Sequence, residues 1–281
     1  MARFTNQAQL TYNNTVTVSN LAVGEIQDVL SINKTSVNDI YTNNDTITYA
    51  VNIINSGSTD LSGLTLTDDL GAYTFGTSTL VPLTYVPDTV KYFRNSVLQA
   101  PPTVTTSNDQ LVITNFTVPA NGTATFLYET QTNEFTPLDT GSTVTNTAEL
   151  TGNFTAVSAS ETVEASSEPE LSVVKSIAPI PVAENGTVTY TFVINNTGNT
   201  AVTTGAVITD TFDPLLSNIT VTFNDTPWVA GSDYTYDTST GVFTSLANKV
   251  TVDAAQFTQD TTTGAITITP GTSTLVISGT I

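Results

Sequence analysis

Apolar and polar residues alternate along short stretches of this chain, and clusters of Asn, Gly, Asp and Pro separate the stretches. Thr46-Ile-Thr-Tyr-Ala-Val-Asn-Ile-Ile-Asn-Ser-Gly57 is one such run, and Thr187-Val-Thr-Tyr-Thr-Phe-Val-Ile-Asn-Asn-Thr-Gly198 is another. A period of two with turn residues at each end predicts half-buried strands. No long stretch carries the 3.6-residue period of an amphipathic helix, so the pattern predicts an all-β protein.

The strand pattern occurs twice. Leu30-Ser-Ile-Asn-Lys34 aligns with Leu171-Ser-Val-Val-Lys175, and the same spacing relates Tyr49 to Tyr190 and Gly57 to Gly198. With one residue inserted, Leu64-Thr-Leu-Thr-Asp68 aligns with Ala206-Val-Ile-Thr-Asp210. Self-similarity over a long period marks tandem structural units.

Four features recur in this order. They are a strand ending in Lys then Ser or Thr, a [Gly/Asp]-Thr-[Val/Ile]-Thr-Tyr strand, an Asn-[Ser/Thr]-Gly turn, and a Thr-Asp that closes the next strand. In this order and in two copies they resemble the DUF11 family of Ig-like repeats of bacterial and archaeal surface proteins. The resemblance implies two β-sandwiches used as structural or adhesive modules rather than as catalysts. The expected organisation is a hairpin and connector over residues 1–29, one sandwich over 30–166, and a second over 167–281. Glu164-Ala-Ser-Ser-Glu-Pro-Glu170 reads as an acidic linker between the sandwiches.

The first repeat finishes with Thr143-Val-Thr-Asn-Thr-Ala-Glu-Leu150 and a returning strand near Thr155 to Val163. The second repeat runs to Thr274-Leu-Val-Ile-Ser278, the counterpart of Thr125-Phe-Leu-Tyr-Glu129, without a finishing hairpin. Its likeness lies at the other end of the chain. Phe4, Ala8 and Leu10 correspond to Val144, Ala148 and Leu150, and Val16 and Val18 are expected in a returning strand after an Asn13-Asn14 turn. A sandwich short of its last strands exposes open sheet edges that recruit strands from elsewhere. The expected partner is therefore a second copy of the chain, joined head to tail. A contact of this kind that does not close on itself makes an open filament. A frayed terminal strand, or a fragment of a longer tandem array, is the plainer alternative.

Composition narrows the chemistry. The chain has 25 acidic and six basic residues, a net charge of −19, and neither His nor Cys. So few cations argue against nucleic-acid binding, which needs Lys and Arg at phosphates. The usual general base, thiol nucleophiles, disulfides and the commonest metal ligands are absent. No cofactor is implied, no apolar run is long enough to span a bilayer, and an enzyme is the least favoured class. Asn43-Asn-Asp45, Asp68-Asp69 and Asp233 to Asp237 read as turn chemistry rather than as calcium ligands.

Only four lysines occur, Lys34, Lys91, Lys175 and Lys249, and two of them share one repeat position. Asn6 and Asn146 share another, and Asp68 and Asp210 a third. A first-strand Lys, a last-strand Asn and a mid-sheet acid resemble the arrangement in pilin-type Ig domains that form spontaneous isopeptide bonds. A lysine buried among apolar groups loses its charge more readily and becomes a nucleophile, while a protonated acid polarises the amide. The expected bonds are Lys34–Asn146 within one chain and Lys175–Asn6 between chains, promoted by Asp68 and Asp210. The simpler reading is a Lys–Asp salt bridge with Asn as a turn or ladder cap. Together these readings predict a structural subunit of an extracellular or spore-surface fibre, with an adhesive or S-layer-like surface module as the alternative.

Overall fold

The computed structural model describes residues 2–26 and 29–281. It is all-β, with two tandem Ig-like sandwiches preceded by a long hairpin. The hairpin consists of β1 (Ala2–Asn6), β2 (Gln9–Tyr12), β3 (Thr15–Val18) and β4 (Ala22–Ile26), with β1 paired to β4 and β2 to β3. Its tip is Asn13-Asn14, both at positive φ, a conformation that Asn tolerates in tight hairpin turns. Strand β4 reaches Ile26, and connector residues 27 and 28 lie outside the described residues.

The first sandwich begins with β5 (Leu30–Ser36), β6 (Ile40–Tyr41), β7 (Thr46–Asn55) and β8 (Thr65–Asp68). Short strands follow: β9 (Tyr73–Phe75), β10 (Ser78–Leu80), β11 (Leu83–Tyr85), β12 (Lys91–Arg94) and β13 (Val97–Leu98). It ends with β14 (Thr103–Ser107), β15 (Gln110–Thr114), β16 (Gly122–Thr132), β17 (Thr143–Gly152) and β18 (Phe154–Ala165). One sheet has the order β13-β12-β16-β7-β5, and the other β14-β15-β8-β17-β18-β6. The period of two is realised on β7, where Ile47, Tyr49, Val51 and Ile53 are fully buried. Strand β18 continues to Ala165, so the linker is shorter than expected and starts at Ser166.

The second sandwich starts with β19 (Leu171–Ala178), β20 (Thr187–Asn196), β21 (Thr209–Thr211), β22 (Ser217–Phe223) and β23 (Thr226–Pro227). It continues with β24 (Tyr234–Tyr236), β25 (Val242–Ser245), β26 (Gln256–Gln259), β27 (Ile266–Thr269) and β28 (Gly271–Thr280). Its main sheet is β19-β20-β28-β22-β23, and its facing sheet is β21-β25-β24. In the first sandwich β8 has a neighbour on each side, β15 and β17. Its counterpart β21 pairs only with β25, so one edge stays open among the described residues. The β26–β27 hairpin leans onto the first sandwich, where Phe257 and Ile268 pack against its core and Ile266 N–H donates to the Glu134 carbonyl at 2.7 Å. Among the described residues no helix is long and apolar enough to cross a membrane.

Candidate functional site

The first repeat buries all three members of its expected triad in the core. Lys34 points inward from β5, the edge strand beside β18, and its side chain is wholly buried. Its Nζ lies 2.5 Å from Oδ2 of Asp68, the last residue of β8. The hydroxyl of Tyr128, on β16, donates to the same oxygen, and the Leu70 N–H donates to Oδ1 at 3.1 Å. Burial pulls the Lys34 pKa below its ordinary value, although the Asp68 charge pulls the other way. Burial pushes the Tyr128 phenol well up, reinforced by the neighbouring Asp68.

Asn146 comes from β17, whose register sets Ala148 opposite Asp68 and whose Thr147 N–H donates to Asp69 Oδ1 at 2.8 Å. Period-two alternation then turns Asn146 inward with Val144, Ala148 and Leu150, and all four are buried. Neither polar atom of the Asn146 amide has a hydrogen-bond partner. An amide buried and unpaired carries a penalty of about 1–3 kcal/mol, which a merely structural Asn would not be expected to carry. The Lys34–Asp68 salt bridge of the simpler reading is present.

The second repeat holds the same pair in the open. Lys175 Nζ lies 2.5 Å from Asp210 Oδ2, yet the two side chains are 40% and 18% exposed, against 0% and 4% for Lys34 and Asp68. Every residue of β19 is exposed. Between β19 and β21 runs a groove of about 460 Å³, with Val173, Phe192, Ile194, Ile208, Val250 and Val252 among its walls and Lys175 and Asp210 within it. Strands β17 and β18 occupy the corresponding place in the first sandwich. Register also shows one difference: Tyr49 pairs with Tyr128, but its counterpart Tyr190 pairs with Ile277.

The hairpin carries the remaining expected residues on its surface. Phe4 and Asn6 are exposed on β1, Ala8 is exposed between β1 and β2, and Leu10 is exposed on β2. These residues share the parity of Val144, Asn146, Ala148 and Leu150. Val16 and Val18 lie on β3, the strand that returns after the Asn13-Asn14 turn. Val16 lies opposite Thr11 and Val18 opposite Gln9, so they occupy the face opposite Leu10. Phe4 faces Gly24 across the hairpin, and its ring fills the space where a β-carbon on Gly24 would sit.

The acidic loops hold their carboxylates in turns. Asp45 accepts from Thr46 N–H, Asp237 from Ser239 N–H, and Asp233 from Val229 N–H while pairing with Lys249 at 2.8 Å. Two tyrosines at the buried site, Tyr49 and Tyr128, escaped the sequence reading. The signal available was Tyr49 recurring as Tyr190 within the repeat.

Fold and site together define an all-β protein of tandem Ig-like sandwiches, with a Lys–Asp–Asn cluster in one core and an open counterpart in the other. No family model and no curated protein sequence matches the chain. Solved structures that resemble it include BcpA, the major pilin subunit of Bacillus cereus, at 11% identity over 96% of this chain and 73% of that one, with a TM-score of 0.35. The major pilin SpaD from Corynebacterium diphtheriae is 14% identical over 78% of this chain and 50% of that one, with a TM-score of 0.36. ACE19, the collagen binding subdomain of Enterococcus faecalis surface protein ACE, is 8% identical over 50% of this chain and 99% of that one, with a TM-score of 0.31. At these scores no function is carried across, and the functional reading rests on the site itself.

Proposed function

We propose that the chain is the structural subunit of an extracellular fibre, on a cell or spore surface, built from DUF11-like modules. Each subunit inserts its β1–β4 hairpin into the groove between β19 and β21 of the next copy. One observation carries this reading: the groove lies where β17–β18 sits in the first sandwich, and the exposed hairpin presents Phe4, Asn6, Ala8 and Leu10 in the order of Val144, Asn146, Ala148 and Leu150. Main-chain pairing to the open β21 edge supplies affinity, and the side-chain pockets supply register.

Magnitudes favour a covalent lock. Burying Phe4 and Leu10 contributes roughly 1.5–3 kcal/mol each, whereas association costs about 4–15 kcal/mol. Apolar contact alone therefore gives a weak joint. In the proposed lock, Lys175 of one copy bonds to Asn6 of the next, as Lys34 bonds to Asn146 within the first sandwich. Asp210 and Asp68 move the protons.

Deleting residues 2–26 tests the joint. The shortened chain should stay monomeric in sedimentation and form no filaments under the electron microscope, and a synthetic peptide of residues 1–26 should bind it. Filaments from the shortened chain would refute hairpin exchange and favour the adhesive-module alternative.

A further inference from the structure

The core beside Asn146 holds a phenol that packing does not explain. Tyr49 on β7 is completely buried, and its hydroxyl has no hydrogen-bond partner. Among the described residues, the other buried side-chain polar atoms without partners are the two ends of the Asn146 amide. Tyr49 and Asn146 are neighbours: burial pushes the phenol's pKa up, the Asp68 charge adds to this, and the Asn146 amide beside it draws it partly back. Lys34 Nζ sits 4.7 Å from the centre of the Tyr49 ring, so amine and amide both neighbour the same tyrosine.

The second repeat keeps this phenol and discards the other. Lys175 Nζ lies 4.8 Å from the centre of the Tyr190 ring, while the position of Tyr128 is taken by Ile277. A tyrosine wanted only for its bulk would not need its hydroxyl in both repeats. A hydroxyl wanted only to hold the aspartate would be Tyr128.

We propose that Tyr49 and Tyr190 are catalytic residues that donate a hydrogen bond to the carbonyl oxygen of the attacked asparagine, Asn146 in the first repeat and Asn6 of a second copy in the second. This inference rests on the crosslinking read above. Lys34 first passes a proton to Asp68. The neutral Nζ then attacks Cγ of Asn146, and the carbonyl electrons move onto Oδ1, which becomes an oxyanion facing the Tyr49 hydroxyl. Asp68 gives its proton to Nδ2 and takes one from Nζ. The Cγ–Nδ2 bond breaks, ammonia leaves, and an Nζ–Cγ amide remains with Asp68 protonated. Tyr49 keeps its proton throughout. In the product Oδ1 accepts from Tyr49 and Nδ2 has departed, so all three unpaired atoms are resolved. A fixed donor at a developing oxyanion accelerates acyl transfer by about 10²- to 10³-fold.

The test is a Tyr49→Phe chain of full length made by cell-free translation. Synthesis is stopped, and the Lys34–Asn146 crosslinked peptide is followed by digestion and mass spectrometry. Crosslinking should slow by about 10²- to 10³-fold relative to the unaltered chain. Thermal melting of Asn146→Ala and Asn146→Ala/Tyr49→Phe chains, neither able to crosslink in the first repeat, supplies the structural control. Because the hydroxyl has no partner there, its removal should leave melting unchanged or raised, whereas a purely structural tyrosine would lower it. Crosslinking at an unaltered rate in Tyr49→Phe would overturn the assignment while leaving the bond intact. No crosslinked peptide from the unaltered chain would overturn the crosslink itself, and the assignment with it.

Discussion

The same aspartate-to-alanine change should have very different costs in the two repeats. Asp68→Ala leaves Lys34, whose side chain is wholly buried, without its partner, and removes the acceptor of the Tyr128 hydroxyl and the Leu70 N–H. Breaking one side of a buried ion pair costs about 3–5 kcal/mol, and each stranded neutral donor adds roughly 1–3. That is a large share of the ~5–15 kcal/mol by which a domain is usually stable. Asp210→Ala leaves a Lys175 side chain that is 40% exposed and can turn to water, at a cost of about 0–1 kcal/mol. The comparison belongs in a chain lacking residues 2–26 and carrying Asn146→Ala, so that neither covalent bond contributes. Urea unfolding can be followed by Trp228 for the second sandwich, where it stacks on Phe223 at 5.0 Å, and by tyrosine emission and circular dichroism for the first. With a slope near ~2 kcal/mol per molar, Asp68→Ala should lower the midpoint by ~1.5 M or more and Asp210→Ala by under ~0.5 M. Equal shifts, or a larger one from Asp210→Ala, would refute the claim that only the first pair is sealed in a finished core.

Three further outcomes are expected. Burial depresses the Lys34 pKa, so the folded chain holds fewer protons than the unfolded chain between that lowered value and the unfolded lysine value near ~10.4; an Asn146→Ala chain should therefore gain stability as pH rises through that window. Tyr49 and Tyr128 are shifted upward by burial, so above about 10 the unfolded chain loses phenol protons that the fold retains, and stability should fall there. Urea midpoints across pH 7 to 11, which should peak near ~10, check both signs; a steady decline from neutral pH would contradict the lysine assignment. Asn6→Ala should leave filaments visible under the microscope but dissociable in hot detergent, whereas a detergent-resistant ladder from that variant would place the covalent bond elsewhere.

Much of the fold was legible because the repeat duplicates its own evidence. Alternation in Thr46–Asn55 and Thr187–Asn196 located the central strands, and the paired Lys and Asp positions stand 2.5 Å apart in both repeats. Strand ends were less legible: β18 runs beyond its expected limit because main-chain pairing continues through Glu164, which carries little apolar signal. Which face of the hairpin Val16 and Val18 take was not legible. Register within a hairpin depends on the turn and on irregularities between its strand pairs, and a one-residue slip exchanges the faces. The packing of β26–β27 on the first sandwich was invisible, since nothing local in Phe257 or Ile268 says which core each will join. Tyr49 was visible as a repeated residue, but its unpaired hydroxyl became apparent only with Asn146 beside it.

The central claim is a covalent bond between copies, and mixed isotope labelling tests it most directly. Chains of normal isotopic composition and chains labelled with heavy nitrogen would be mixed as monomers, allowed to assemble, boiled in detergent with urea, digested, and searched by mass spectrometry for the Lys175–Asn6 peptide. The account predicts that peptide short of one ammonia, with light–heavy pairings at the frequency of random mixing. A peptide found only as light–light and heavy–heavy would mean that the chain closes on itself. Unmodified Lys175 and Asn6 peptides from intact filaments would contradict the covalent joint.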